Sequence, residues 1–200
     1  MKSAFRPKCA VLGYGSWATA IVKTLTVNHH HVDWLILNDD IRESLITRSR
    51  NPKYLPWCYI DRDFFTPSAD INEVVRDADI VFLAMPSAFL KKFLEPLTES
   101  LSSKIVASAV KGIIPGDYLT IVEHMNRYYD VPMENLAVVT GPSHAEEVGQ
   151  CQLSYLTVAS EHVATAERVR EVLANDFFRC SISNDVLGVE AAAIMKNIYA

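Results

Sequence analysis

Gly13-Tyr14-Gly15-Ser16-Trp17-Ala18 stands between an apolar run, Cys9–Leu12, and a stretch of helical period. A glycine turn that joins a strand to a helix in this way can hold the pyrophosphate of a dinucleotide. Gly13 suits the tight turn, Gly15 lets the backbone approach the phosphates, and Ala18 fills the third small position, where helix and strand pack. Ser16 and Trp17 open the helix, whose first amides favour an anion. The competing reading is a glycine turn that serves packing only. After the second apolar run come Asn38, Asp39 and Asp40. Asp39 fits either the ribose hydroxyl or a helix N-cap. No Arg stands at 37–39 to meet a 2′-phosphate, and Arg42 lies a turn into the next helix. The cofactor expected is therefore NAD or NADP, with the balance toward NAD.

Three further strand ends carry groups suited to a polar ligand. "AMPSAFL" (84–90) turns at a proline, "SAVKGI" (108–113) ends on Lys111 and a glycine, and "VVTGPSHAEEV" (138–148) places Gly141 and Ser143 before a helix. Lys111 either meets an anion or stands solvated at the strand end. In doubly wound folds such strand ends share one ligand-binding edge. Near the end of the chain Lys196 lies on a helical stretch with Ala192, Ala193 and Met195. A lysine desolvated by such neighbours has a lowered pKa and is fit for proton transfer, with Asn197 to orient it; the alternative is an exposed helix lysine. His29-His30-His31 reads as a solvated turn, because three consecutive residues cannot all face one ion. His144 has a packing or capping role as its simpler reading.

The elements needed to position these groups are legible. Apolar runs at 9–12, 32–37, 80–84, 105–109, 136–140, 154–159 and 179–182 predict strands, several buried on both faces. Helical periods predict helices at 17–27, 39–50, 72–76, 89–101, 117–129, 144–150 and 161–174. Asp79 and Ser160 sit at element edges as candidate caps. Asn51–Pro67, with Pro52, Pro56 and Pro67 among aromatics, predicts an ordered loop with room for one short strand. The alternation is α/β: a doubly wound, mostly parallel sheet of Rossmann type. "GVEAAAIMKNIYA" then begins an Ala-rich helix without a C-cap glycine. The expected division is a nucleotide-binding domain over 1–186 and the first helix of a truncated all-α domain over 187–200.

Composition agrees. Half the residues are hydrophobic and the net charge is −5, which excludes a disordered chain and a nucleic-acid footprint. No apolar run reaches the length of a membrane helix, so no membrane insertion is expected. Four dispersed cysteines and an N-terminus without an apolar core fit a soluble cytoplasmic protein.

Together "GYGSWATA", "NPKYLP", "VKGI", "GPSHAEEV" and "GVEAAAIMKNIYA" resemble, in type and order, the bacterial NAD(P)-dependent sn-glycerol-3-phosphate dehydrogenases. The resemblance spans nearly the whole chain. It implies an enzyme that interconverts glycerol 3-phosphate and dihydroxyacetone phosphate for glycerophospholipid synthesis, a small-molecule phosphorylated substrate, and a homodimer through a C-terminal helical domain. It implies that Gly13, Gly15, Ser16, Trp17, Asn38, Tyr54 and Ala145 meet the cofactor. Lys111 would meet both cofactor and substrate, Gly141 and Ser143 the substrate, and Lys196 would be the proton acceptor. Ala18 replaces the family's more usual glycine, and no basic residue stands at 37–38. The arginine-bearing segment that grips the substrate phosphate is not in this chain, so the chain by itself is expected to bind cofactor and turn over poorly. A β-hydroxyacid dehydrogenase and a non-catalytic nucleotide-binding module are the alternatives.

Overall fold

The computed structural model describes residues 6–199, with side chains through residue 195. Eight strands form one sheet: β1 Cys9–Leu12, β2 Val32–Leu35, β3 Phe65–Ser68, β4 Ile80–Leu83, β5 Ile105–Ser108, β6 Leu136–Thr140, β7 Ser154–Ala159 and β8 Phe178–Ser183. The order is β3-β2-β1-β4-β5-β6-β7-β8. Every neighbouring pair is parallel except β6–β7, which is antiparallel. The expected doubly wound, mostly parallel sheet is what forms.

Eight α-helices cover it: α1 Ser16–Val27, α2 Asp39–Arg48, α3 Ile71–Arg76, α4 Leu90–Leu94, α5 Ile121–Tyr129, α6 Ala145–Gly149, α7 Val163–Leu173 and α8 Val186–Tyr199. Period-two alternation along each strand sorts side chains between two cores. Cys9, Val11, Ile80, Phe82 and Ala107 join the core under α1, α2, α6 and α7. Ala10, Leu12, Val81, Leu83 and Val106 join the core under α3, α4 and α5. Both faces being buried explains why these strands are apolar without a break.

Several boundaries differ from the sequence expectation, each for a local reason. The helix expected over 89–101 shrinks to α4, because Pro96 cannot continue it. The one expected from 117 starts at Ile121, where Thr120 and Glu123 form a reciprocal capping box. Asn38, rather than Asp39, caps α2 by accepting from the Ile41 amide at 3.0 Å. Asp79 caps no helix: its carboxylate accepts from the Lys8 amide at 2.8 Å, tying the entry of β1 to β4. Ser160 donates to the Leu136 carbonyl at 2.7 Å and accepts from the His162 amide.

The topology sets the site. The strand order reverses between β1 and β4, and in an open α/β sheet the crevice outside the carboxyl ends at that reversal receives ligands. The ends of β1, β4, β5 and β6 all point to that edge.

Candidate active site

The crevice is a cavity of about 580 Å³, walled by Tyr14–Trp17, Tyr54, Ala84–Pro86, Phe89, Phe93, Ala109, Lys111 and 143–146. Its floor is the glycine turn. Gly13 has φ +118°, and a Cβ there would lie 2.3 Å from the Ala84 carbonyl oxygen, so only glycine lets the ends of β1 and β4 close up. The turn is held from below by the buried Trp34 indole, which donates to the Gly13 carbonyl at 2.6 Å. Gly15 precedes α1 with no side-chain cap, and α1 has no acidic residue in its first turn. By contrast α2, α3 and α5 each carry both a capping side chain and an acid there. The first amides of α1 are therefore left to an external acceptor, in the field of the helix dipole.

Two buried polar atoms on the cavity wall lack hydrogen-bond partners: Trp17 Nε1 and Ser143 Oγ. Orphaned groups of this kind are rare in a folded interior, and while His30 Nδ1 and His124 Nδ1 are orphaned singly elsewhere, the meeting of two such groups on one cavity wall suits a ligand that completes the bonding. Lys111 Nζ lies 5.6 Å from the centre of the Trp17 ring, so a cation sits over an aromatic face beside those donors. Apolar walls with a few convergent donors and one cation suit a flat heteroaromatic ring joined to an anionic linker. The donor set thus fits a nicotinamide dinucleotide.

Of the residues singled out in the sequence, the cavity wall brings together Gly15, Ser16, Trp17, Tyr54, Lys111, Ser143 and Ala145. Gly13 lies beneath it. Gly141 is off the wall, where a Cβ would meet the Tyr155 carbonyl oxygen at 2.6 Å, so its smallness lets β6 approach β7. Asn38 is also off the wall, with its side-chain oxygen accepting from the α2 amide. The Lys196 side chain lies outside the described residues, although residue 196 falls within α8. That helix is pinned by Glu190, whose buried carboxylate accepts from the Ile121 and Val122 amides at 3.1 and 3.4 Å. Burial pushes the Glu190 carboxyl above its usual range, despite those bonds. Cys9 is not a nucleophile: burial, with the nearby charge of Asp79, pushes its thiol up to about 12.

Tyr14, Met85 and Phe89 reach the wall from stretches the sequence placed at this edge without giving them a role of their own, and Phe93 was missed altogether. Their aromatic and apolar types had been indistinguishable from core. Sequence reasoning also missed Asn51. This fully buried side chain donates to the Tyr14 carbonyl at 2.9 Å and to Thr19 Oγ1 at 3.0 Å. Its oxygen accepts from the Lys53 and Tyr54 amides at 3.2 and 3.1 Å. One amide side chain so fastens the loop carrying Tyr54 to the glycine turn. Asn51→Leu leaves buried backbone groups unpaired and is expected to lower the unfolding free energy by about 2–4 kcal/mol in urea titrations. A loss below about 0.5 kcal/mol would show that the loop is held by something else.

A second cavity of about 390 Å³, lined by Leu35, Leu37, Asp70, Lys92, Phe93 and Pro96 among others, shares Phe93 with the first. Among the described residues no group of His, Cys, Asp and Glu is arranged to hold a metal, and no helix is long and apolar enough to cross a membrane.

Known proteins agree with this architecture. The family model described as NAD-dependent glycerol-3-phosphate dehydrogenase N-terminus matches residues 8–166. A protein of Latilactobacillus sakei (strain 23K) named glycerol-3-phosphate dehydrogenase (NAD(P)+) is 34% identical over 197 residues, covering 96% of this chain and 57% of its own. One of the same name from Enterococcus faecalis (strain ATCC 700802 / V583) is 34% identical over 200 residues, covering 98% and 58%. The crystal structure of glycerol-3-phosphate dehydrogenase from Coxiella burnetii superposes with a TM-score of 0.85 at 25% identity, covering 97% of this chain and 59% of that one. The chain thus spans somewhat more than half the length of these relatives. With the family model matching most of its length and relatives 34% identical over nearly all of it, the chain belongs to the family of NAD-dependent glycerol-3-phosphate dehydrogenase N-termini.

Proposed function

We propose that this chain is the cofactor-binding part of an NAD(P)-dependent enzyme that interconverts sn-glycerol 3-phosphate and dihydroxyacetone phosphate, supplying glycerophospholipid synthesis in the cytoplasm. The observation that carries the reading is the pair of buried, unpartnered donors, Trp17 Nε1 and Ser143 Oγ, on a cavity wall that also holds Lys111. Residues 1–186 form the dinucleotide domain and 187–200 open a helical substrate domain, through which a homodimer forms.

Gly13, Gly15, Ser16 and Trp17 hold the pyrophosphate with backbone amides and the positive end of α1. Asn38, at the start of α2, borders the adenosine ribose, and Tyr54 and Ala145 close the cofactor channel. Lys111 supplies positive charge to cofactor and substrate, and Gly141 and Ser143 shape the substrate end. The nicotinamide ring, when bound, accepts or gives the hydride. Lys196 handles the proton: as a neutral amine it takes the proton of the secondary hydroxyl, and as an ammonium it returns it to the carbonyl oxygen. An ammonium at that oxygen also offsets the negative charge that develops there during reduction. Lys111, as a like charge, favours the neutral amine and tunes Lys196 toward working pH.

The test is reduction of dihydroxyacetone phosphate by the protein extended through the C-terminal portion its relatives possess, followed by loss of reduced-cofactor absorbance. Turnover with NADH or NADPH is expected. Inactivity with both would overturn the reading.

A further inference from the structure

A buried carboxylate joins the helix of Lys196 to the end of the segment that follows Lys111. Resting on the dehydrogenase reading above, we propose that Glu190 is a positioning residue for the proton transfer. Through its reach and not its charge, it sets the axial position of α8, and so of residue 196, against the segment that carries Lys111. The residue is 4% exposed, and its Oε1 accepts from the Ile121 and Val122 amides at 3.1 and 3.4 Å. The Thr120 hydroxyl bonds to it as well. A carboxylate is costly to bury unless its bonds are made. Helix α5 does not need this one to start, because Thr120 and Glu123 already form its capping box. What Glu190 adds is a link between elements 69 residues apart in the chain.

Short spans run from this link to both lysines. On one side, residue 196 follows Glu190 by six residues of continuous helix, about 9 Å along the axis. On the other, the chain leaves Lys111 through Gly112, whose φ is +131°, and a Cβ there would lie 2.6 Å from Ser87 Oγ. The backbone beside Lys111 is thus seated on the turn after β4. Ile114, fully buried, then closes the excursion over 114–119: its amide donates to the Leu119 carbonyl at 2.9 Å, and the Tyr118 amide donates to its carbonyl at 3.0 Å. Leu119 stands two residues before Ile121, the first donor to Glu190. The Lys111 segment is therefore fixed at both ends. The flank of α8 that bears Glu190 also carries Val186 and Ala193, both apolar and buried. Apolar contact resists separation but is non-directional, and a helix can still slide along its axis. Directed bonds to two amides stop that slide.

Reach and charge are separable by substitution in the protein extended through the C-terminal portion of its relatives. Glu190→Asp keeps the charge and withdraws the oxygens by about 1.5 Å, the length of one carbon–carbon bond. It is expected to lower kcat for dihydroxyacetone phosphate reduction about 10–100-fold, the cost of misplacing a reacting group by about 1 Å. Glu190→Gln drops the charge and keeps the acceptor, and should hold kcat within about threefold of the parent. In both, the Kd for NADH should stay within about threefold, which certifies the fold. In a Lys196→Ala background, Glu190→Asp should lower kcat less than about twofold further, since nothing is left to position. A purely structural defect would slow both backgrounds equally. A Glu190→Asp protein that bound no NADH would pass the comparison to Glu190→Ala against Glu190→Gln, with the same expectations. Parental kcat in the shortened variant, a Glu190→Gln enzyme as slow as it, or an undiminished effect in the Lys196→Ala background would overturn the proposal while leaving the dehydrogenase reading intact. A parent inactive with both NADH and NADPH would overturn both.

Discussion

Gly13→Ala is expected to abolish nucleotide binding and to lower the unfolding free energy by more than about 3 kcal/mol. Two independent penalties act together. The φ of +118° is a conformation that side-chain-bearing residues rarely adopt, and the new Cβ would stand 2.3 Å from the Ala84 carbonyl oxygen and 2.8 Å from its carbon. Neither atom can yield, because Ala84 directly continues β4, every residue of which is buried. Gly15→Ala provides the contrast. Its φ is −74°, and nothing lies within 4 Å of the added Cβ, so the protein should fold as the parent does. The methyl group would nevertheless occupy the approach to the first amides of α1, and NADH affinity should fall by tenfold or more. Urea unfolding and NADH titration of the two variants separate these effects. A Gly13→Ala protein of parental stability would show that the turn relaxes elsewhere, and a Gly15→Ala protein with parental affinity would remove the pyrophosphate from this turn.

Lys196→Ala, in the protein extended through the C-terminal portion of its relatives, is expected to lower kcat by about 10²–10⁴-fold, the range associated with a positioned acid–base group. The Kd for NADH should stay within about threefold of the parent value, because the proposed pyrophosphate grip lies on α1 and not on α8. The argument rests on placement. Residue 196 lies within α8, ten residues after Val186 on the same helix, and Glu190 pins that helix to the first amides of α5. Ala193, a turn before Lys196, is 7% exposed, whereas Ala192 and Met195 are exposed, so the expected desolvation by all three neighbours is met at Ala193 alone. Loss of NADH affinity with kcat retained would make Lys196 a binding residue and leave the proton transfer without an owner.

Much of this was visible in the chain itself, because apolar runs buried on both faces leave few alternatives. Cys9–Leu12, Leu136–Thr140 and Ser154–Ala159 form strands with the bounds their apolarity suggests. Gly13 was legible because a strand-to-helix turn names its own residue type. β3 was much harder to see: "FTPS" contains Pro67, which an edge strand tolerates and a central one does not, and edge position is a property of the finished sheet. The antiparallel pairing of β6 with β7 was equally hidden, since direction leaves no mark in an apolar run. Choosing Asp39 over Asn38 as the cap erred by one residue, because both side chains cap well and only the backbone turn decides between them. Asn51 and Phe93 escaped notice for a deeper reason. Their importance comes from partners distant in sequence, such as Tyr14 and Thr19 for Asn51, and no local pattern records such a meeting.

The hydrogen bond from the Trp34 indole to the Gly13 carbonyl has a consequence for the order in which the molecule becomes competent. The glycine turn is adjacent to β1 in sequence, yet it is buttressed by a side chain from β2 and pressed against the end of β4. During synthesis, then, the first strand and its glycines emerge early but stay incompetent until the chain has passed residue 84 and those strands have docked. A cofactor that needs the finished turn stabilises the docked sheet by mass action, so its protection against unfolding should grow with the logarithm of its concentration.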